Sequence, residues 1–291
     1  MEDAPTLAPL GLAGGQGKTT VGLMTGRILA RCGIPVLYVD ADPQASMTAF
    51  LGVELSEERP TLLDIITNPE KKIPLYSAIH PVPDSDKLFV IPANDELESA
   101  NHYLASSGMS LLLLRNRLYQ AGVKVPDNEK VSKSFGAIIV DPPPERSNLA
   151  LTALGAANLW VIPAEANVKG VQSLLRTKEL IESVGHLVPH GSLAGVMPFR
   201  ARWVGNNPTK ITRESMQAMG EISEDPLLPH ILESDVYKKA INDQVSLQEL
   251  GNPGLEYPLM ALIEKLKPLL DKGVQKQLKE VDQYLEEVRA A

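Results

Sequence analysis

The chain has one cysteine, Cys32, in 291 residues. That excludes an internal disulfide framework and any site needing several thiolate ligands, and it fits a reducing compartment. Aromatic residues are scarce, 4% of the chain against 44% hydrophobic residues in all, so the core must be built from aliphatic side chains. Positive charge is in deficit: 28 Lys and Arg against 36 Asp and Glu leave a net charge of -8. Such a balance argues against a surface coated for nucleic acid all round, yet allows a local basic patch. No apolar run approaches the roughly 20 residues that span a bilayer. The start, Met1-Glu2-Asp3-Ala4-Pro5, is acidic and unlike a secretory leader, so a soluble cytoplasmic protein is expected. His80, His102, His186, His190 and His230 lack metal-ligand spacing and read as surface or capping residues.

What the chain does have is a set of short, nearly continuous apolar runs at 7–12, 36–39, 88–91, 137–140, 159–162 and 193–197. Runs of this kind suit strands covered on both faces. Helical patterns follow at 19–32, 97–120, 170–184, 209–219 and 255–270. The alternation predicts an α/β fold with a doubly wound, mainly parallel sheet and helices on both faces. Residues 56–82, with Pro60, Pro69, Pro74 and Pro81, read as loops with short helices, and 123–134 as an exposed polar loop. A single domain is expected over 1–270 and a charged C-terminal helix over 271–291. In that tail Val274, Leu278, Val281, Leu285 and Val288 form an apolar stripe, which suits a docked or partner-binding helix better than a membrane anchor. Trp160 and Cys32 are expected in the core.

Gly14-Gly15-Gln16-Gly17-Lys18-Thr19-Thr20 follows the first apolar run and opens a helix, the setting of a phosphate loop. Glycines let backbone N–H groups turn inward around phosphate oxygens, and the helix N-terminus adds partial positive charge. Lys18 would reach the terminal phosphates of ATP, and the Thr19 hydroxyl would face Mg²⁺. Asp40 and Asp42 end the second run and Asp141 ends the fourth, at the strand edge where doubly wound sheets bind ligands. One such carboxylate can hold Mg²⁺ and another can orient an attacking water. Taken singly, each reads as well as a cap or turn residue.

These segments, with Tyr38-Val39-Asp40-Ala41-Asp42-Pro43-Gln44 and Ile138-Ile139-Val140-Asp141-Pro142-Pro143, resemble the ParA/MinD family of deviant Walker ATPases. The resemblance continues through Leu159-Trp160-Val161-Ile162-Pro163 and the Leu228-Pro229-His230-Ile231 region, and stops near Leu270. It implies ATP and Mg²⁺ as cofactors and a sandwich homodimer when ATP is bound. It implies non-specific DNA binding by that dimer on the nucleoid, and weak hydrolysis stimulated by a cargo-bound adaptor protein; no membrane partner is expected, because the mixed-charge tail has no basic amphipathic end. By the same resemblance Asp42 positions the attacking water, Asp40 is a switch carboxylate near Mg²⁺, Asp141 is the Walker B residue, and Pro198 and Trp203 lie where the base is seated.

One position departs from the pattern. The family's loop begins with a lysine that crosses to the partner's ATP, and here that position is Ala13. Lys169, after a strand and before a helix, is the candidate substitute; an ordinary solvated lysine is the other reading. The McdA proteins, a subgroup that positions carboxysomes, are similar in lacking the loop lysine and using a downstream one. Arg200, Arg202, Lys210, Arg213, Lys238 and Lys239 are the candidate DNA contacts, with scattered solubilising charge as the alternative. Plasmid or chromosome partition, and an ATP-dependent metabolic enzyme of the same superfamily, stay open. An iron–sulfur redox enzyme is disfavoured by the single cysteine, and a membrane-cycling MinD type by the mixed-charge tail.

Overall fold

The computed structural model describes residues 4–56, 58–68, 73–108, 110–120, 135–224 and 226–290. Nine strands are found among them: β1 (Thr6–Pro9), β2 (Val36–Asp40), β3 (His80–Pro81), β4 (Leu88–Ile91), β5 (Ala137–Asp141), β6 (Leu159–Glu165), β7 (Ser192–Phe199), β8 (Trp203–Val204) and β9 (Asn207–Pro208). The first seven form one sheet in the order β3-β4-β2-β5-β1-β6-β7. Pairing is parallel throughout except at the short edge strand β3, which runs antiparallel to β4. β8 and β9 make a separate hairpin. The apolar runs of the sequence lie in six of the seven sheet strands. β3 and the hairpin, two residues per strand, carry too little pattern to be read in advance.

The helices are α1 (Lys18–Arg31), α2 (Ser46–Phe50), α3 (Leu62–Thr67), α4 (Ala100–Ser107), α5 (Leu113–Gln120), α6 (Asn148–Ala156), α7 (Val168–Val184), α8 (Lys210–Ser223), α9 (Asp235–Asn242), α10 (Tyr257–Leu266), α11 (Lys272–Gln275) and α12 (Lys279–Ala290). They cover both faces of the sheet, and alternate residues of one strand supply each core. Val36 and Tyr38 join a cluster with Leu23, Met24 and Ile28 of α1 and Leu259 and Ile263 of α10. Leu37 and Val39 face the other way, into a cluster with Ile65 of α3, Leu104 of α4, and Leu149, Ala153 and Leu154 of α6. A third cluster joins Ile162, Ala164 and Val196 of the sheet edge to Leu174 of α7 and Met219 of α8.

Three expectations change in the structure. The stretch 97–120 is not one helix: Gly108, at φ 64, ends α4 in the left-handed conformation that glycine adopts without strain, and α5 starts afresh at Leu113. His80 is not a surface residue but is 4% exposed, and burial lowers its pKa. Cys32 is only half-buried, packed against the core's edge rather than inside it. Trp160 is buried, and its indole N–H donates to the Leu154 carbonyl at 2.9 Å. The tail residues Leu278, Val281 and Leu285 are buried in the α1–α10 cluster. The polar stretch expected over 123–134 lies outside the described residues.

Candidate nucleotide site

Several helix N-termini in this fold are closed by side chains. Ser147 caps α6, Asn167 caps α7, Thr209 caps α8 and Ser234 caps α9, each accepting from a first-turn N–H. α1 differs: Gly17 precedes it at φ 97 with no side-chain cap. Its first-turn N–H groups are left for an anion. Gly15 is also left-handed, at φ 80, and a Cβ on Gly17 would stand 2.6 Å from the Phe199 ring. Gly17 is therefore fixed twice, by backbone conformation and by space. Gly14 and Gly15 are exposed at the mouth of the loop.

Between Gly15 and Gly17, Gln16 turns inward and is fully buried. Its Oε1 accepts from Glu165 N at 3.0 Å, at the end of β6. Lys18 is buried too, and burial lowers its pKa against the opposing pull of Asp141 and Asp42. Thr19 donates its hydroxyl to Asp141 Oδ2 at 2.6 Å. Asp141 Oδ1 is buried with no partner among the described residues. Burial, reinforced by nearby Asp40, pushes the Asp141 carboxyl up to about 7.

Asp40 is held differently. Its Oδ2 accepts from both Thr48 N and Thr48 Oγ1 at 2.8 Å, and Oδ1 accepts from Asp42 N at 3.3 Å. Burial still raises it to about 6. Its carboxylate thus anchors the turn that presents Asp42, which is half-buried and accepts from Gln44 N at 3.0 Å. Thr48 is the partner the sequence did not announce, because a threonine eight residues on from an aspartate carries no motif.

The donor set fits Mg²⁺. An unpartnered buried carboxylate oxygen beside a threonine hydroxyl is the hard-oxygen arrangement this ion takes together with phosphate oxygens and water. Among the described residues no group of three or more His, Cys, Asp or Glu could form an all-protein metal cage.

Lys169, at the exposed start of α7, reaches back across the loop, its Nζ donating to Gly14 O at 3.1 Å. Ala13 itself carries no charge, so this ammonium stands over the loop from another element. A cavity of about 430 Å³ opens beside Thr20, between Phe199, Leu232, Glu233, Ser234 and Asp235. Pro198 is one step away, inside β7, where its carbonyl accepts from Ile231 N at 2.8 Å. Trp203 is not among the lining residues; it is 40% exposed and stacks on His230 at 5.4 Å. A larger cleft of about 660 Å³, between Arg27, Lys87 and Gln248, contains none of the loop residues.

Of the candidate DNA contacts, Arg200 lies 3.8 Å from Glu165, Lys210 3.8 Å from Glu214 and Lys238 2.9 Å from Asp235. Arg202 donates to Glu233 at 2.8 Å. Arg213 and Lys239 are exposed. No helix among the described residues is long and apolar enough to cross a membrane.

A family model described as an AAA domain matches residues 7–187. The maintenance of carboxysome distribution protein A of Synechococcus elongatus is 42% identical over 263 residues, covering 90% of this chain and 98% of that protein. A probable plasmid-partitioning protein ParA of Thermus thermophilus is 27% identical, over 82% of this chain and 71% of the relative. A Cyanothece McdA variant solved in complex with ATP superposes with a TM-score of 0.82 at 38% identity, covering 91% of this chain and 97% of that one. The chain belongs to the ParA/MinD family of P-loop ATPases, in the branch of the carboxysome distribution protein A.

Proposed function

We propose that this protein binds MgATP at the loop 14–20, dimerises on it, and uses slow hydrolysis to position a carboxysome-type cargo over DNA. The observation that carries the reading is the Lys169 ammonium 3.1 Å from Gly14 O, beside a loop whose own first position is Ala13. The loop N–H groups and the uncapped start of α1 hold phosphates. Lys18 neutralises the terminal phosphates, and the cavity beside Thr20 takes the base. Thr19 and Asp141 would hold Mg²⁺, which when bound neutralises charge on the phosphate oxygens. Asp42 orients the attacking water. Lys169 supplies the further cation, reaching the phosphates of a second copy's nucleotide.

The homodimer is the nucleoid-bound form, and an adaptor on the cargo stimulates its hydrolysis. Arg213 and Lys239 are the first candidates for phosphate contacts, since the other four basic residues already face carboxylates. DNA binding should depend on ATP, ignore sequence and weaken steeply with salt. Filter binding to arbitrary duplex DNA at low salt tests this. ATP-dependent retention, reduced about tenfold in R213E/K239E, is expected; equal or absent retention with and without ATP contradicts it.

A further inference from the structure

We infer that Gln16 is a positioning residue: its buried carboxamide sets where Lys169 stands over the phosphate loop. The inference rests on the role just proposed for Lys169. Gln16 lies between two left-handed glycines, Gly15 at φ 80 and Gly17 at φ 97, so the backbone aims its side chain inward. There it accepts from Glu165 N at 3.0 Å. The weaker contact from Nε2 to Gly14 O, at 3.5 Å, touches the same carbonyl that receives Lys169.

From Glu165 to Lys169 the chain has little freedom. Asn167 N donates to Glu165 O at 2.6 Å, Asn167 Oδ1 accepts from Gly170 N at 3.0 Å, and Ala166 N donates to Phe199 O at 2.8 Å. A Cβ on Gly170 would collide with the Glu165 carbonyl, so the first turn of α7 is pressed onto the end of β6. This turn moves as a unit, and Gln16 ties that unit to the loop. Ala166 N ties the turn to β7, and Leu12 N ties the start of the loop to Thr177 Oγ1 at 3.0 Å, further along α7; Gln16 links the turn to the loop between the two glycines. One side chain thereby links the phosphate-binding backbone to the turn that carries the lysine serving the partner's phosphate.

The test is a double-mutant cycle of Q16M, K169A and Q16M/K169A against the unmodified chain. ATP-dependent dimerisation is read by sedimentation velocity and turnover by phosphate release, with MgATP saturating for each variant and thermal melting checking the fold. Methionine keeps the length of glutamine and removes the acceptor; Q16V is the second apolar variant should Q16M melt early. Q16M is expected to weaken dimerisation and turnover by about tenfold, and to add nothing in the K169A background. An unaltered Q16M, or an equal loss with and without Lys169, overturns the positioning role. If K169A itself dimerises and turns over normally, the reading of Lys169 falls and this inference with it.

Discussion

At Asp141 a carboxylate is buried with one oxygen unpartnered, next to a second buried carboxylate, Asp40. Their folded pKa values, about 7 and about 6, exceed the ordinary 3.8. The folded chain then binds more protons than the unfolded one between about pH 4 and 7, so ligand-free stability is greatest below this window and falls as pH rises through it. D141N should therefore stabilise the ligand-free protein at pH 8 by about 1–3 kcal/mol, with a smaller gain at pH 5, while Mg²⁺-dependent ATP binding is lost. Urea melts in EDTA at the two pH values check this; a destabilised D141N contradicts it. G17A should cost about 1–3 kcal/mol through the left-handed backbone and the Phe199 ring, read by the same melts. At this scale the sequence shows residue types at strand ends and in a glycine loop. It does not show that Asp40 spends both oxygens on Thr48 and Asp42, or that Gln16 faces inward, because those contacts join segments far apart in the chain or depend on φ.

Among the elements, central strands are legible because burial on both faces demands continuous apolar runs, as in Val36 to Val39. The stretch 97–120 misleads because its apolar spacing persists across Gly108, where backbone conformation rather than pattern ends α4. The tail shows the reverse case: a weak stripe whose members Leu278, Val281 and Leu285 are all buried. Arg31 of α1 reinforces the contact, donating to Glu256 at 2.9 Å and to Glu280 of α12 at 3.1 Å. L278A should cost about 2–4 kcal/mol in urea unfolding. V288A, at a 37% exposed position, should stay within about 0.5 kcal/mol. Equal effects at the two positions would contradict docking of the tail.

For the whole molecule, a net charge of -8 confines any DNA-binding face to a local patch. The central claim is that the active site is completed across two copies, with Asp42 acting in its own subunit and Lys169 in the partner's. Within one chain Lys169 rests on its own Gly14 carbonyl, so service in the same subunit is the competing geometry. Mixing D42A with K169A separates the two. If Lys169 acts across the dimer, the mixed dimer holds one intact site, in the K169A subunit, and ATP turnover that is low in either variant alone rises on mixing. If Lys169 serves its own subunit, neither site of the mixed dimer is complete, and the absence of recovered turnover would contradict the account.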